Sequence, residues 1–92
     1  MNPLSNTKPP LIEFPCDFPI KVMGLKSDEL LSIVSALVRE HDPGFDHLTI
    51  VTRESSAGKY LGLTLTVNAT SQEQLDNIYR ALTAHPVTKY VL

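Results

Sequence analysis

The chain has 92 residues, 42% of them hydrophobic and 20% charged, with a formal net charge of −2. That length bounds it to one small domain with a thin margin of stability, so self-association is expected. The composition excludes a disordered chain, and the acidic balance argues against a general nucleic-acid binder, which needs a basic surface to neutralise phosphates.

Five of the seven prolines fall within residues 1–19, where they lack ladder donors and fix their own backbone. Residues 1–16 therefore read as a partly disordered arm, with Leu11, Ile12 and Phe14 of "LIEFP" docking on a folded domain spanning 17–92. The same prolines interrupt the apolar segment that a signal peptide requires. The richest apolar run, "LLSIVSALV", is too short to cross a bilayer. Cys16, the single cysteine, precludes an internal disulfide and fits a reducing compartment, so the expected location is the cytoplasm.

The stretch "FPIKVMG" alternates, with Phe18, Ile20 and Val22 on one side and Lys21 and Met23 on the other, which predicts a half-buried strand ending at Gly24. Ser27 is the expected N-cap of a helix, with Asp28 and Glu29 in its first turn. Leu30, Ile33, Val34 and Leu37 form its apolar stripe, widened by Leu31 and Val38, and "DPG" ends it after His41. A second strand is expected over "DHLTIVTRE", rich in β-branched residues, then a turn at "SSAGK". In "YLGLTLTVN", Leu61, Leu63, Leu65 and Val67 share one side of a third strand. Thr70 and Glu73 have the spacing of a capping box for a second helix, whose stripe is Leu75, Ile78, Tyr79 and Leu82. Pro86 closes that helix, and "VTKYVL" is the last strand.

The order β-α-β-β-α-β, with right-handed crossovers, predicts an α+β ferredoxin-like sandwich: a four-stranded antiparallel sheet with both helices on one face. Strands one and three are then central and strands two and four are edges. The topology gathers Lys26, Lys59 and His85 near the start of the first helix, with Arg53, Ser27, Ser55 and Ser56 close by. Asp17, Asp42 and Asp46 collect at the opposite end.

"SSAGKY" resembles a phosphate loop, but Tyr60 follows Lys59 where a hydroxyl is needed, Glu54 replaces the first glycine, and the loop leads into a strand. It reads as a hairpin turn. A weaker anion site remains, in which the amides of the first helix, Lys26 and Lys59 converge on a carboxylate or phosphate. The residues His41, Asp42, Asp46 and His47 of "HDPGFDH" match no zinc spacing, so no metal is expected. Cys16 has no neighbouring base to make it a nucleophile, and no catalytic residue or cofactor is expected. "GKYLGLTLTV" resembles the third strand of RNA-recognition domains, but its Leu61 and Leu63 stand where stacking aromatics belong and point inward. The open face of the sheet, with Met23, Tyr60, Thr64, Thr66 and Tyr90, is the expected association surface, together with the edge strand "VTKYVL".

"FP" at 14–15, Phe18, "KVMG" at 21–24, the serines, Gly58 and Tyr60 of "SSAGKY", "NAT" at 68–70, "EQ" at 73–74, Tyr79 and "VL" at 91–92 run in order over most of the chain. In this set the chain resembles the YbeD-type family of small, uncharacterised bacterial proteins. The resemblance implies a ferredoxin-like domain akin to ACT regulatory domains, which bind small effectors near the first strand-to-helix loop and at dimer interfaces. It also implies a lipoate-linked role, since genes of the family often lie beside lipoate-attachment genes. The function expected is a non-enzymatic regulatory or adaptor domain that binds a small effector or a partner protein, with neither nucleic acid nor membrane as partner. The effector site is expected at Gly24, Leu25, Lys26, Ser27, Ser55, Ser56 and Lys59. The alternative is a pure protein-interaction module using the open face or an edge strand.

Overall fold

A computed structural model of the chain describes residues 12–55 and 57–92. Strand β1 (Cys16–Leu25) leads to helix α1 (Leu30–Arg39), a short 3-10 helix (His47–Thr49), β2 (Val51–Glu54), β3 (Tyr60–Ala69), helix α2 (Gln72–Ala84) and β4 (Thr88–Val91). The strands form one antiparallel sheet in the order β2-β3-β1-β4, so β1 and β3 are central as expected. This is the ferredoxin-like arrangement.

The core follows from two periodicities. Ile20 and Val22 of β1 and Leu61, Leu63, Leu65, Val67 and Ala69 of β3 point to the same side of the sheet and are buried. Leu30, Val34 and Val38 of α1, and Leu75, Ile78 and Leu82 of α2, recur at helical spacing and close over them. Each deeply buried leucine or isoleucine contributes roughly 1.5–3 kcal/mol relative to exposure.

Several local expectations are corrected. β1 starts at Cys16, two residues before the alternating stretch that predicts it, while Phe14 packs against the core as expected. Ile12 is exposed rather than docked, and the expectations for Leu11 and the rest of 1–11 lie outside the described residues. Ser27 does not cap α1. Its carbonyl accepts from Leu30 N at 3.4 Å in a turn, and Glu29 occupies the N-cap position without a side-chain bond. The chain needs that turn to bend from the sheet onto the helical layer.

The second strand is only four residues long. Asp46 diverts the segment before it: its carboxylate accepts from Leu48 N at 2.9 Å, while Thr49 Oγ1 donates to the Asp46 carbonyl at 2.7 Å. These local bonds compete with a sheet ladder and win, giving a 3-10 turn over His47–Thr49. The cap of α2 lies one residue later than Thr70 and Glu73 predict. Ser71 Oγ accepts from Gln74 N at 3.0 Å, and Gln74 Oε1 accepts from Thr70 N at 2.7 Å.

Candidate functional site

The side of the sheet opposite the helices is uncovered, and its register sorts side chains into rows. Paired residues of antiparallel strands point to the same face. Val51 pairs with Thr64, and Thr64 with Lys21. Lys21 exchanges both backbone hydrogen bonds with Leu92, at 3.2 and 2.7 Å. The next row runs Arg53, Gly62, Met23, Tyr90, and beyond it Tyr60 stands beside Leu25.

Each row places apolar groups and cations together. Val51 is 65% exposed, Leu92 70%, Leu25 46% and Tyr90 45%, an unusual concentration of large apolar side chains in water for one face. Gly62 lies at the centre and carries no side chain. A Cβ there would meet the Arg53 carbonyl oxygen at 3.4 Å and Met23 Cε at 3.7 Å. The result is a depression of about 350 Å³ lined by Met23, Val51, Tyr90 and Leu92, with Lys21 and Arg53 among its walls. Lys89 Nζ stands 4.9 Å from the Tyr60 ring centroid and Lys59 Nζ 5.8 Å, within range of attraction to the ring face.

The five residues expected on this surface (Met23, Tyr60, Thr64, Thr66 and Tyr90) all lie on it. Sequence reasoning did not name Val51, it placed Lys89 and Leu92 only within the edge strand "VTKYVL", and it placed Arg53 only with the loops. Alternation within "VTRE" carries the signal for Val51 and Arg53, since residues two apart share a face. Lys89 carries no such signal, because β4 shifts register against β1 between Met23 and Gly24.

The loop end is also assembled, and Lys26, Ser55 and His85 have partners within it. Lys26 N donates to the Lys59 carbonyl at 3.1 Å, tying "GLKS" to the hairpin. The Lys26 ammonium pairs with Glu54, instead of standing free beside Lys59 for an anion. Ser55 Oγ accepts from Tyr60 N at 3.1 Å and closes the hairpin, whose Gly58 takes a φ of 71°. His85 Nδ1 accepts from Val87 N at 3.1 Å. Gly24 is buried, Leu25 turns onto the open face, Ser27 is exposed, and Ser56 lies outside the described residues.

The acidic end is built for structure. Asp42, 6% exposed, accepts from Asn68 N at 2.9 Å, and Asp46 caps the 3-10 turn. Gln74 joins three segments there, donating to the carbonyls of His41 at 2.8 Å and Asn68 at 3.1 Å. Among the described residues, no three His, Cys, Asp or Glu side chains gather around a point that a metal would occupy, and no helix is long and apolar enough to cross a membrane. On the helical side, burial pushes the Tyr79 phenol above its usual range, and its hydroxyl donates to the Leu92 carbonyl at 3.3 Å.

Comparison with known proteins agrees with this architecture. A family model described as "Protein of unknown function (DUF493)" matches residues 9–92. A UPF0250 protein of Janthinobacterium sp. is 60% identical over 82 residues, covering 89% of this chain and 90% of that protein. One from Chromobacterium violaceum is 49% identical over 89 residues, covering 97% of this chain and 100% of that one. The solution structure of protein HP0495 from H. pylori is similar at a TM-score of 0.79 with 17% identity, covering 96% of this chain and 92% of that one. That likeness establishes the fold.

Proposed function

From the premise that this chain belongs to the DUF493 family, we propose that it is a non-enzymatic regulatory or adaptor domain, and that it works by binding a partner protein across the open face of the sheet. The observation that carries this reading is the exposure of Val51, Tyr90 and Leu92 around the depression over Gly62. Burying them against a partner would contribute favourably at roughly 25 cal/mol per Å² of apolar surface, before the costs of association. The groups that carry chemistry elsewhere in proteins have structural duties here: Ser55 and His85 close turns, and Asp42 and Asp46 hold backbone amides.

The test is affinity capture from the source cells with two baits, the wild-type chain and Val51→Asp. Val51 is exposed on an edge strand, so the substitution leaves the core intact. Proteins held by the wild type and released by the variant support the reading; equal recovery on both baits refutes it. A small-effector function at the loop end predicts a different result. Amino acids or other small acids would then raise the melting temperature of both baits alike, because a ligand that binds only the folded state stabilises it.

A further inference from the structure

The face proposed above as the binding surface also has a charge. Lys21 and Arg53 project from it beside the depression, and Lys89 lies over the Tyr60 ring. Among the described residues, the acids nearest this face are Asp17, which pairs with Asn68 at the far end of β1, and Asp42 and Asp46, which line a hollow there with Asp17 and Thr66. Glu54, next to Arg53 in β2, pairs with Leu61 and so points to the helical side, where it holds Lys26. In a chain of net charge −2, cations are thus concentrated where the large apolar side chains are exposed.

This segregation discriminates among occupants. A second copy docked face to face about a two-fold axis through the depression would bring the Lys21 and Arg53 side chains of both copies around that axis, and like charges brought together at an interface oppose association. Single-stranded RNA needs aromatic platforms on the central strands. Those positions hold Gly62 and Thr64 on β3 and Lys21 and Met23 on β1, and the Tyr60 ring is already attended by Lys89. What fits both the sign and the apolar content is a protein segment that alternates carboxylates with large apolar side chains. We propose that the open face is a docking surface for an acidic, apolar-bearing segment of a partner protein, with its apolar side chains over Gly62 between Val51 and Tyr90 and its carboxylates on Lys21, Arg53 and Lys89. This rests on the assignment of the open face as the binding surface.

Fluorescence anisotropy with the full chain tests it, using three labelled peptides of equal length. One alternates glutamate with leucine and valine; the second replaces each glutamate with lysine; the third replaces each glutamate with glutamine. The acidic peptide should bind best, lose affinity as salt screens the pairs, and bind about tenfold more weakly to the exposed-surface variant K21E/R53E/K89E, as expected for three rim charges reversed. Equal binding of all three peptides, salt-independent binding, or a triple variant that binds as well as the wild type would overturn the proposal. Equal or tighter binding of a single-stranded RNA, or a concentration-dependent dimer that the charge reversals abolish, would overturn it in favour of those occupants. The outcome is separable from that of the underlying reading. A partner released by Val51→Asp but retained by the triple variant would leave the open face standing as the binding surface and remove its acidic specificity.

Discussion

Gly24→Ala would place a methyl group 2.9 Å from Leu30 Cδ1 and 3.0 Å from the Val87 carbonyl oxygen. Carbon contacts are comfortable at about 3.5–4.0 Å, so both neighbours must give way. Leu30 is fully buried at the start of α1 and its rotation is hindered by the core. The Val87 oxygen is backbone, held by Leu25 N at 3.1 Å beside the register shift between β1 and β4. Overpacking of this kind costs roughly 1–3 kcal/mol. Gly24 does not have a positive φ, so alanine regains about 0.4–1 kcal/mol by restricting the unfolded chain. The net expectation is a loss of about 1–2 kcal/mol. With a urea slope near 1 kcal/mol/M, as small domains show, the unfolding midpoint should fall by about 1–2 M. Gly62→Ala is the internal control, since its added Cβ meets ordinary contacts at 3.4 and 3.7 Å and should leave the midpoint unchanged or raise it. If Gly24→Ala retains the wild-type midpoint and far-UV spectrum, the close approach of β1, α1 and the β4 lead-in is not what demands glycine here.

Other consequences concern side chains that join elements. Gln74→Glu removes both donors to the His41 and Asn68 carbonyls and turns a carboxylate toward them, so it should cost more in denaturant than Gln74→Ala, itself expected to lose about 1–2 kcal/mol. Ser35 buries a hydroxyl with no hydrogen-bond partner among the described residues, and Ser35→Ala should stabilise the chain by about 0.5–1 kcal/mol through desolvation and helix propensity, seen as a higher melting temperature. Tyr79 binds its proton more tightly when folded than when unfolded, because burial opposes the phenolate. Its contribution is therefore complete below the ordinary phenol value of about 10 and is lost as pH rises through the higher folded value. Tyr79→Phe should start less stable by about 0.5–1 kcal/mol from the lost bond to Leu92, then decline less steeply than the wild type above pH ~10 in alkaline unfolding titrations.

Much of the fold is legible along the chain. Alternation in 18–24 and 60–69 and the helical stripes in 30–38 and 75–82 identify the central strands, both helices and the face each buries, because burial selects apolar residues at the period of the element that carries them. The same alternation already puts Met23, Tyr60, Thr64 and Thr66 on the uncovered side. The errors fall where a short polar side chain offers the backbone a local alternative: Asp46 makes a 3-10 turn of a predicted strand, and Ser71 takes the cap expected at Thr70.

The candidate surface is a different matter. A period of two says that a strand has two faces, but it does not say which residues of neighbouring strands stand side by side. That depends on register, which the closed hairpin sets between β2 and β3 and the shift at Met23/Gly24 sets between β1 and β4. Only the assembled sheet brings Val51, Thr64, Lys21 and Leu92 into one row and Arg53, Gly62, Met23 and Tyr90 into the next. Likewise the pairing of Lys26 with Glu54 joins residues 28 positions apart. It occupies one of the cations expected to hold an anion at the loop end, while Lys21 and Arg53 line the open face. The chain alone determined which residues turn inward and in what order the elements come. The tertiary structure decided which of the outward residues meet, because that neighbourhood is a property of strand pairing and has no local period to announce it.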